Sequence, residues 1–124
     1  MIRIRVATLP PYEVKVGAGL LEGVAAELSS DRKCALLADE RALALHGQRL
    51  RDFEGIPRRV LAPGEGSKSF AELEATLEFL ARAGLDRRSC LVVLGGGVAG
   101  DLGGLAAALY MRGIAVVHLP TTLV

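Results

Sequence analysis

The sequence lacks three features that would point directly to a function: an excess of charge of one sign, a cysteine cluster and a metal-ligand cluster. The formal net charge of the 124 residues is +1 and the arginines are scattered, so we expect no nucleic-acid partner. Cys34 and Cys90 lie in apolar, strand-like runs without CxxC spacing, which predicts two buried free thiols. A reducing, cytoplasmic compartment is therefore the default expectation.

Catalytic and targeting signals are equally scarce. The segment 1–6 alternates apolar and charged residues, and it has neither the apolar core nor the cleavage site of a signal peptide. His46 and His118 have no partners at metal-ligand spacing, so we assign no metal ligand within the chain. The sequence shows no recognisable combination of a nucleophile with a general base and a general acid. We therefore assign no catalytic residue within the chain. Since His118 lies inside a predicted strand, we expect a core or cleft imidazole.

The longest apolar run, residues 91–110, has to be weighed as a membrane helix, because Gly96, Gly100 and Gly104 repeat at the spacing of a helix-dimer motif. Asp101 in mid-run argues against a membrane span, as do the consecutive glycines, each of which weakens a helix by roughly 1 kcal/mol. We therefore expect no membrane contact. A content of 51% hydrophobic and 23% charged residues is typical of a globular domain.

Hydrophobic periodicity predicts an α/β domain that begins with a hairpin. Ser69 and Glu72 form a capping-box pattern, which starts an amphipathic helix that stops at Gly84. We expect one face of this helix to carry Phe70, Leu73, Leu77, Leu80 and Ala81. The other expected elements, in chain order, are two half-buried strands over 2–6 and 12–16, a helix over 20–28, a strand over 33–38, a helix over 42–52, strands over 58–62 and 91–94, a helix that ends at 111–113, and a strand over 114–119.

Strands that alternate with helices predict a Rossmann-like, mostly parallel sheet with helices on both faces. Ligands of such sheets bind beyond the carboxyl ends of the strands. The residues at those ends are Asp39, segment 65–68, segment 95–101, Thr121 and Thr122. We expect these residues to form one cleft.

The glycines after the strand over 91–94 match the dinucleotide fingerprint, with Gly95, Gly97 and Gly100 at the required spacing between a strand and a helix. This pattern predicts a phosphate seat on backbone N–H groups. The fingerprint usually includes an acidic residue near the end of the next strand, which binds the ribose. Thr121 stands there in this sequence, so Asp39, at the end of an earlier strand, is the candidate for this role.

Each of these motifs has a simpler structural interpretation. The glycine cluster could serve close helix-to-sheet packing alone, since Gly103 and Gly104 continue it into the helix. Asp101 could merely complement the helix dipole. Lys68, one of only three lysines, could hold a phosphate or a ribose hydroxyl, or be a solvated loop charge.

Four segments taken together resemble the N-terminal domain of the 3-dehydroquinate synthase family: 64–69, 95–101, 110–113 and 120–123. The resemblance implies that residues 1–124 are the N-terminal NAD-binding domain of a longer two-domain enzyme. The resemblance also implies that the C-terminal helical domain, which in the family holds a divalent metal, usually zinc or cobalt, is missing from this chain. Since the sequence stops at Leu123 and Val124 inside an apolar run, we expect a truncated chain that is inactive by itself.

The resemblance also assigns roles to individual positions. It implies that Arg112 reaches the substrate phosphate across the interface of a homodimer. Arg41 and Pro63 depart from the residues that are usual in the family, so the match to the family is weakest for the adenosine contacts. The implied cofactor-binding positions are Asp39, Glu40 and Arg41 with Glu65, Gly66, Ser67 and Lys68 for the adenosine side and ribose, Gly96, Gly97, Val98 and Asp101 for the pyrophosphate turn, and Thr121 and Thr122 near the nicotinamide.

The implied reaction is the NAD- and metal-dependent cyclisation of 3-deoxy-D-arabino-heptulosonate 7-phosphate, a small sugar phosphate, to 3-dehydroquinate with release of phosphate. NAD takes up a hydride and returns it in this reaction of the shikimate pathway. Three alternatives stay open: a related sugar-phosphate cyclase, an NAD-linked polyol or iron-type alcohol dehydrogenase, and a non-catalytic NAD-binding module.

Overall fold

The computed structural model describes residues 1–122 and contains two separate sheets. Leu123 and Val124, on which the expectation of a truncated end rests, lie outside the described residues. Strands β1 (Ile2–Val6) and β2 (Tyr12–Val16) form an antiparallel hairpin. The larger sheet is parallel throughout, in the order β4-β3-β5-β6, and consists of β3 (Cys34–Asp39), β4 (Arg58–Leu61), β5 (Cys90–Gly95) and β6 (Ala115–Pro120).

Three α-helices connect these strands: α1 (Glu40–His46), α2 (Phe70–Arg82) and α3 (Gly97–Leu109). Short 3-10 turns occupy Leu21–Gly23, Ala25–Glu27, Gly47–Phe53, Glu65–Ser67 and Tyr110–Arg112. Within the described residues, no helix is long and apolar enough to cross a membrane.

The larger sheet has a hydrophobic core on each face, because successive side chains of a strand point to opposite sides. Leu91 and Val93 pack with side chains of α2 and α3, whereas Val92 and Leu94 pack with α1 and the 3-10 turns. All six residues of β5 are buried, as an uninterrupted apolar run in a covered parallel strand should be. The predicted Rossmann-like α/β fold with helices on both faces and an N-terminal hairpin is confirmed.

The hairpin is more exposed than its sequence predicts. Its register pairs Ile2 with Val16 and Ile4 with Val14, so these apolar side chains share one face. Ile2 and Ile4 are nevertheless 61% and 50% exposed. The expectation of half-buried strands is wrong here, because the hairpin forms a sheet of its own and does not join the larger sheet.

The helix expected over 20–28 is replaced by two 3-10 turns. Gly23 N–H donates to the Leu20 carbonyl and Leu28 N–H to the Ala25 carbonyl, the i→i+3 pattern of a 3-10 helix. Gly23 in the middle of this segment disfavours a continuous α-helix. The apolar spacing nevertheless predicts the buried side chains, since Leu21, Val24, Ala25 and Leu28 pack against the core.

The helix expected over 42–52 stays α-helical only to His46 and continues as a 3-10 turn. Leu50 departs from helical geometry, with φ −106° and ψ 39°, and the side chains of Leu50 and Phe53 are buried in the core. Core packing therefore overrides the helical periodicity at this end.

Helix α2 begins as predicted, but its buried face differs from the predicted one. The Ser69 hydroxyl accepts a hydrogen bond from the Glu72 N–H at 3.2 Å, while the Glu72 carboxylate pairs with Arg59 at 2.6 Å and does not complete a capping box. Phe70, predicted to face the core, is 89% exposed, and Ala81 is also exposed. The buried stripe consists of Leu73, Thr76 and Leu80. Thr76 can be buried because its hydroxyl donates a hydrogen bond to the Glu72 carbonyl at 2.7 Å and needs no other partner.

Candidate functional site

The glycine turn between β5 and α3 is constrained by its neighbours at two positions and open at a third. A Cβ on Gly95 would lie 2.7 Å from the Ala99 Cβ and 3.0 Å from the Asp39 Cβ. A Cβ on Gly96 would lie 2.9 Å from Thr122 Oγ1. At Gly97 a Cβ would meet nothing within 4 Å. The first two glycines therefore allow close packing of the turn, and the third leaves space above the start of α3.

Three backbone N–H groups at the start of α3 have no intrahelical acceptor. The first intrahelical hydrogen bond of α3 runs from the Gly100 N–H to the Gly96 carbonyl, at 3.0 Å. The N–H groups of Gly97, Val98 and Ala99 precede it, and no side chain caps this end of the helix. Free N–H groups and the positive end of a helix dipole together suit a phosphate group. The residues present therefore fit the pyrophosphate of NAD.

A cavity of about 180 Å³ lies over this turn at the carboxyl edge of the sheet. Its lining residues are Val93, Gly95, Gly96, Gly97, Gly100, Asp101, His118, Leu119, Pro120 and Thr122. A cavity therefore lies where the sequence predicts the site. Four of the predicted residues line it: Gly96, Gly97, Asp101 and Thr122.

Close packing explains the later glycines of α3. A Cβ on Gly103 would lie 2.5 Å from Val93 Cγ2, too close for any side chain. A Cβ on Gly104 would lie 3.5 Å from the imidazole Cε1 of His118. The two interpretations of the glycine cluster thus apply to different residues: Gly97 leaves the start of α3 open, and Gly103 brings the helix onto the sheet.

Lys68 and Asp101 form an ion pair beside the glycine turn. Lys68 Nζ donates a hydrogen bond to Asp101 Oδ2 at 2.7 Å, and both side chains are at least half exposed. This hydrogen bond and the charge of Asp101 raise the pKa of Lys68. The pair joins the loop after β4 to the second turn of α3, so neither residue is an isolated surface charge.

The rest of the loop between β4 and α2 is held from within. Gly64 has a φ of +99°, and Ser67 is 6% exposed and donates from its hydroxyl to the Ala62 carbonyl at 2.6 Å. The Ser67 side chain therefore maintains the loop, whereas Glu65 and Gly66 remain exposed.

Asp39 ends β3 and caps α1. Its Oδ1 accepts a hydrogen bond from the Ala42 N–H at 3.0 Å, as expected of an N-cap aspartate. The position beside Gly95 puts the start of α1 next to the glycine turn. Glu40 and Arg41 form the exposed first turn of α1 and do not line the cavity.

The end of β6 is tied to the same turn. The Thr121 N–H donates to the Gly95 carbonyl at 3.0 Å, and Thr122 lies against Gly96. The two threonines predicted at the nicotinamide side are thus adjacent to the glycine turn.

Arg112 is far from this cleft within one chain. It lies beyond the carboxyl end of α3, a 13-residue helix whose length is about 20 Å at 1.5 Å per residue. Met111 and Arg112 have positive φ angles of 49° and 64°, a conformation that costs a non-glycine residue of order 1 kcal/mol or more. The structure therefore does not bring Arg112 together with the other predicted site residues.

His118 is the cavity residue that the sequence did not assign to the site. Val116, His118 and Pro120 alternate along β6 toward α3, and the imidazole lies over Gly100 and Gly104. It is an exposed cleft residue and not a core residue. Partial burial lowers the pKa of His118, while the charge of Asp101 opposes this effect. The sequence did hold a signal for this position: His118 stands two residues before Pro120, so both side chains lie on the same face of β6, near its carboxyl end.

Both cysteines are buried free thiols, as predicted. Cys34 and Cys90 occupy matching positions of the neighbouring strands β3 and β5. Among residues 1–122, no group of three or more histidine, cysteine, aspartate or glutamate side chains could hold a metal ion.

A family model described as the N-terminal part of 3-dehydroquinate synthase matches residues 58–124, which include the cleft residues from Glu65 to Thr122. The chain belongs to the 3-dehydroquinate synthase family. The 3-dehydroquinate synthase of Paracoccus denitrificans is 42% identical over 120 residues, which are 90% of this chain and 33% of that protein. The enzyme of Caulobacter vibrioides is 45% identical over 121 residues, with 90% and 33% covered. The chain therefore spans about a third of the length of the curated relatives it matches.

Solved structures of sugar-phosphate cyclases share this fold. A 2-deoxy-scyllo-inosose synthase superposes with a TM-score of 0.80 at 25% identity, over 98% of this chain and 36% of that one. A 2-epi-5-epi-valiolone synthase from Streptomyces hygroscopicus, solved with NAD+ and Zn2+ bound, superposes with a TM-score of 0.68 at 25% identity, over 97% and 36%. Members and relatives of the 3-dehydroquinate synthase family thus contain this domain as part of a longer chain.

Proposed function

We propose that this chain is the NAD-binding part of a 3-dehydroquinate synthase, which cyclises 3-deoxy-D-arabino-heptulosonate 7-phosphate to 3-dehydroquinate and releases phosphate. The observation that carries the proposal is the uncapped start of α3 at the carboxyl edge of a parallel sheet, where three N–H groups have no intrahelical acceptor and a Cβ on Gly97 would meet open space. Family membership and the identity to 3-dehydroquinate synthases support the choice of reaction.

The chain's own residues would bind and orient the cofactor. The N–H groups of Gly97 and Val98 would donate to the pyrophosphate, and Gly96 would keep the turn close to Thr122. When bound, NAD supplies reversible hydride transfer. Thr121 and Thr122, tied to the glycine turn, would position the nicotinamide side.

The adenosine side would be held by the ends of β3 and β4. Asp39 uses one carboxylate oxygen as the cap of α1, and its other oxygen could accept from a ribose hydroxyl. Lys68 would turn from Asp101 toward the cofactor. The segments 40–41 and 65–67 complete this side of the proposed site.

The substrate contact and the metal would come from outside this cleft. Arg112, exposed and at the far end of α3, would reach the substrate phosphate of the other subunit in a homodimer. The described residues offer no metal cluster, so no step is assigned to a metal within them. We therefore propose that this chain alone does not cyclise the substrate. Its two buried free thiols suit a cytoplasmic location.

Gly97→Val tests the proposed cleft. The site of the new Cβ is open and the φ of Gly97 is not positive, so the variant should fold while its side chain fills the phosphate seat. We expect calorimetry to show NAD binding by the unaltered chain and at least tenfold weaker binding by Gly97→Val. Gly23→Ala, which also adds a Cβ in open space, is the control and should bind NAD normally. Equal affinity of all three proteins would contradict the proposal.

A second candidate is a related sugar-phosphate cyclase, favoured by the fold shared with 2-deoxy-scyllo-inosose synthase. Both candidates use the same NAD cleft and differ in substrate. Turnover of the complete protein on the competing sugar phosphates distinguishes them, and net release of NADH from a polyol would instead indicate a dehydrogenase. A non-catalytic NAD-binding module would bind NAD in the same assay and turn over none of these substrates.

A further inference from the structure

The imidazole of His118 occupies a specific position between the larger sheet and α3. His118 is paired in register with Val93, and α3 crosses both strands with glycines at the contact points. A Cβ on Gly100 would lie 4.0 Å from the imidazole Nδ1, and a Cβ on Gly104 would lie 3.6 Å from Nε2. The absence of side chains at Gly100 and Gly104 therefore leaves room for the imidazole ring on β6. The Nδ1 atom lies on the side of Gly100, which is nearer to the start of α3 and to the glycine turn than Gly104 is.

The ring is also available to a ligand. His118 lines the same cavity as Gly96, Gly97 and Thr122. Within residues 1–122, neither ring nitrogen has a hydrogen-bond partner. A polar side chain that lines a cavity without a partner is able to bind what enters that cavity.

We propose that His118 is a cofactor-binding residue of this cleft, whose imidazole binds an anionic phosphate group seated on the glycine turn and does so more strongly when it is protonated. This inference rests on the proposed function, because it requires the dinucleotide in the cleft. It adds a titratable side chain to a seat that otherwise consists of backbone N–H groups.

The charges around His118 are few. Asp101 is the sole charged residue of α3, and β5 carries none. His118 is the sole titratable residue of β6. From the loop after β4, Lys68 faces Asp101 and neutralises it in part, with Glu65 nearby. In the free chain burial lowers the pKa of His118, and the opposing charge of Asp101 does not offset this effect.

A phosphate beside the ring reverses this balance, because an opposite charge within a few ångströms favours the imidazolium. Linkage then requires that the ligand binds more tightly at low pH, by the same factor by which it raises the proton affinity of His118. A rise of about one in the pKa corresponds to roughly tenfold tighter binding of NAD.

The test is NAD affinity measured by calorimetry between about pH 5.5 and about pH 8, combined with an NMR titration of the imidazole signals. We expect the unaltered chain to bind NAD roughly tenfold more tightly at the acid end, and NAD to raise the pKa of His118. His118→Gln should remove the pH dependence while it retains a folded spectrum. His46→Gln alters the other histidine, at the end of α1, and should preserve the pH dependence.

The outcomes separate this inference from the function on which it rests. If no NAD binds at any pH, the proposed function fails and this inference fails with it. If NAD binds with pH-independent affinity, or if His118→Gln keeps the same pH dependence, only the role of His118 is overturned. The NMR titration of the unaltered chain decides the matter even if His118→Gln does not fold, because an unchanged pKa on NAD binding contradicts the proposal.

Discussion

Lys68 Nζ lies 2.7 Å from Asp101 Oδ2, and this ion pair connects residues that are 33 positions apart in the chain. It joins the loop after β4, at one edge of the larger sheet, to the helix that follows β5. Both residues were predicted to contact the cofactor, and the structure shows that they contact each other. The pair therefore connects the loop after β4 to Asp101, a residue that lines the cavity.

Lys68→Met should affect ligand binding more than stability. Exposed ion pairs contribute little to the free energy of unfolding, so urea titration should show little change. The loss of a charged hydrogen-bond donor should weaken NAD binding roughly tenfold. Lys15→Met removes a lysine that pairs with Glu27 at 2.6 Å beside the hairpin, and this control should bind NAD normally. If both variants bind NAD as tightly as the unaltered chain, Lys68 does not contact the cofactor and only links the loop after β4 to Asp101.

Gly103→Ala should destabilise the fold by about 1–3 kcal/mol, because the new Cβ would meet Val93 Cγ2 at 2.5 Å in a packed interface. Gly104→Ala is the matched control one residue away, where the new Cβ contacts His118 at an ordinary 3.5 Å. Urea unfolding of both variants measures the difference. A Gly103→Ala protein as stable as Gly104→Ala would show that α3 does not approach the sheet as closely as described.

Asp39 combines a structural role with a proposed binding role, and two variants separate them. Asp39→Ala should cost about 1 kcal/mol of stability through loss of the α1 cap, whereas Asp39→Asn retains a capping oxygen and should be close to neutral. Both variants should weaken NAD binding if the carboxylate accepts from a ribose hydroxyl. Ser69→Ala removes the cap of α2 at a similar cost and should leave NAD affinity unchanged, which controls for stability. Normal NAD binding by Asp39→Asn would remove the ribose role.

Alkaline pH should destabilise the fold through the buried thiols. Burial raises the pKa of Cys90 to about 11, and it also raises the pKa of Cys34. Between about pH 9 and about pH 11 the unfolded chain loses thiol protons that the folded chain retains, so the free energy of unfolding falls as the pH rises. Cys90→Ala should reduce this slope in urea titrations at several pH values. The same alkaline slope in Cys90→Ala would assign the effect to other groups.

The sequence was most informative where several physical signals coincide. An apolar run, a glycine cluster and a resumed helical pattern predicted β5, the turn and α3, because a covered parallel strand and a helix start each leave a distinct pattern. The Ser69 cap of α2 was predictable for the same reason.

Other features depend on contacts that a linear pattern does not encode. Apolar spacing over 20–28 predicted which side chains are buried, but whether they lie on an α-helix or on 3-10 turns is decided by packing and by Gly23. Alternation predicted the hairpin but not its exposure, which depends on whether another layer covers it. The place of His118 over Gly100 and Gly104 follows from how α3 crosses the sheet, which the spacing of the two glycines along the helix does not reveal.

The measurement that tests the central claim most directly is an amide chemical-shift map of the chain during titration with NAD. The start of α3 provides three N–H groups without intrahelical partners, and these should bind the pyrophosphate. We predict that the largest shifts fall on the amides of Gly97, Val98 and Ala99. Shifts centred elsewhere in the chain, or no shifts at millimolar NAD, would contradict the assignment of the glycine turn as the NAD site.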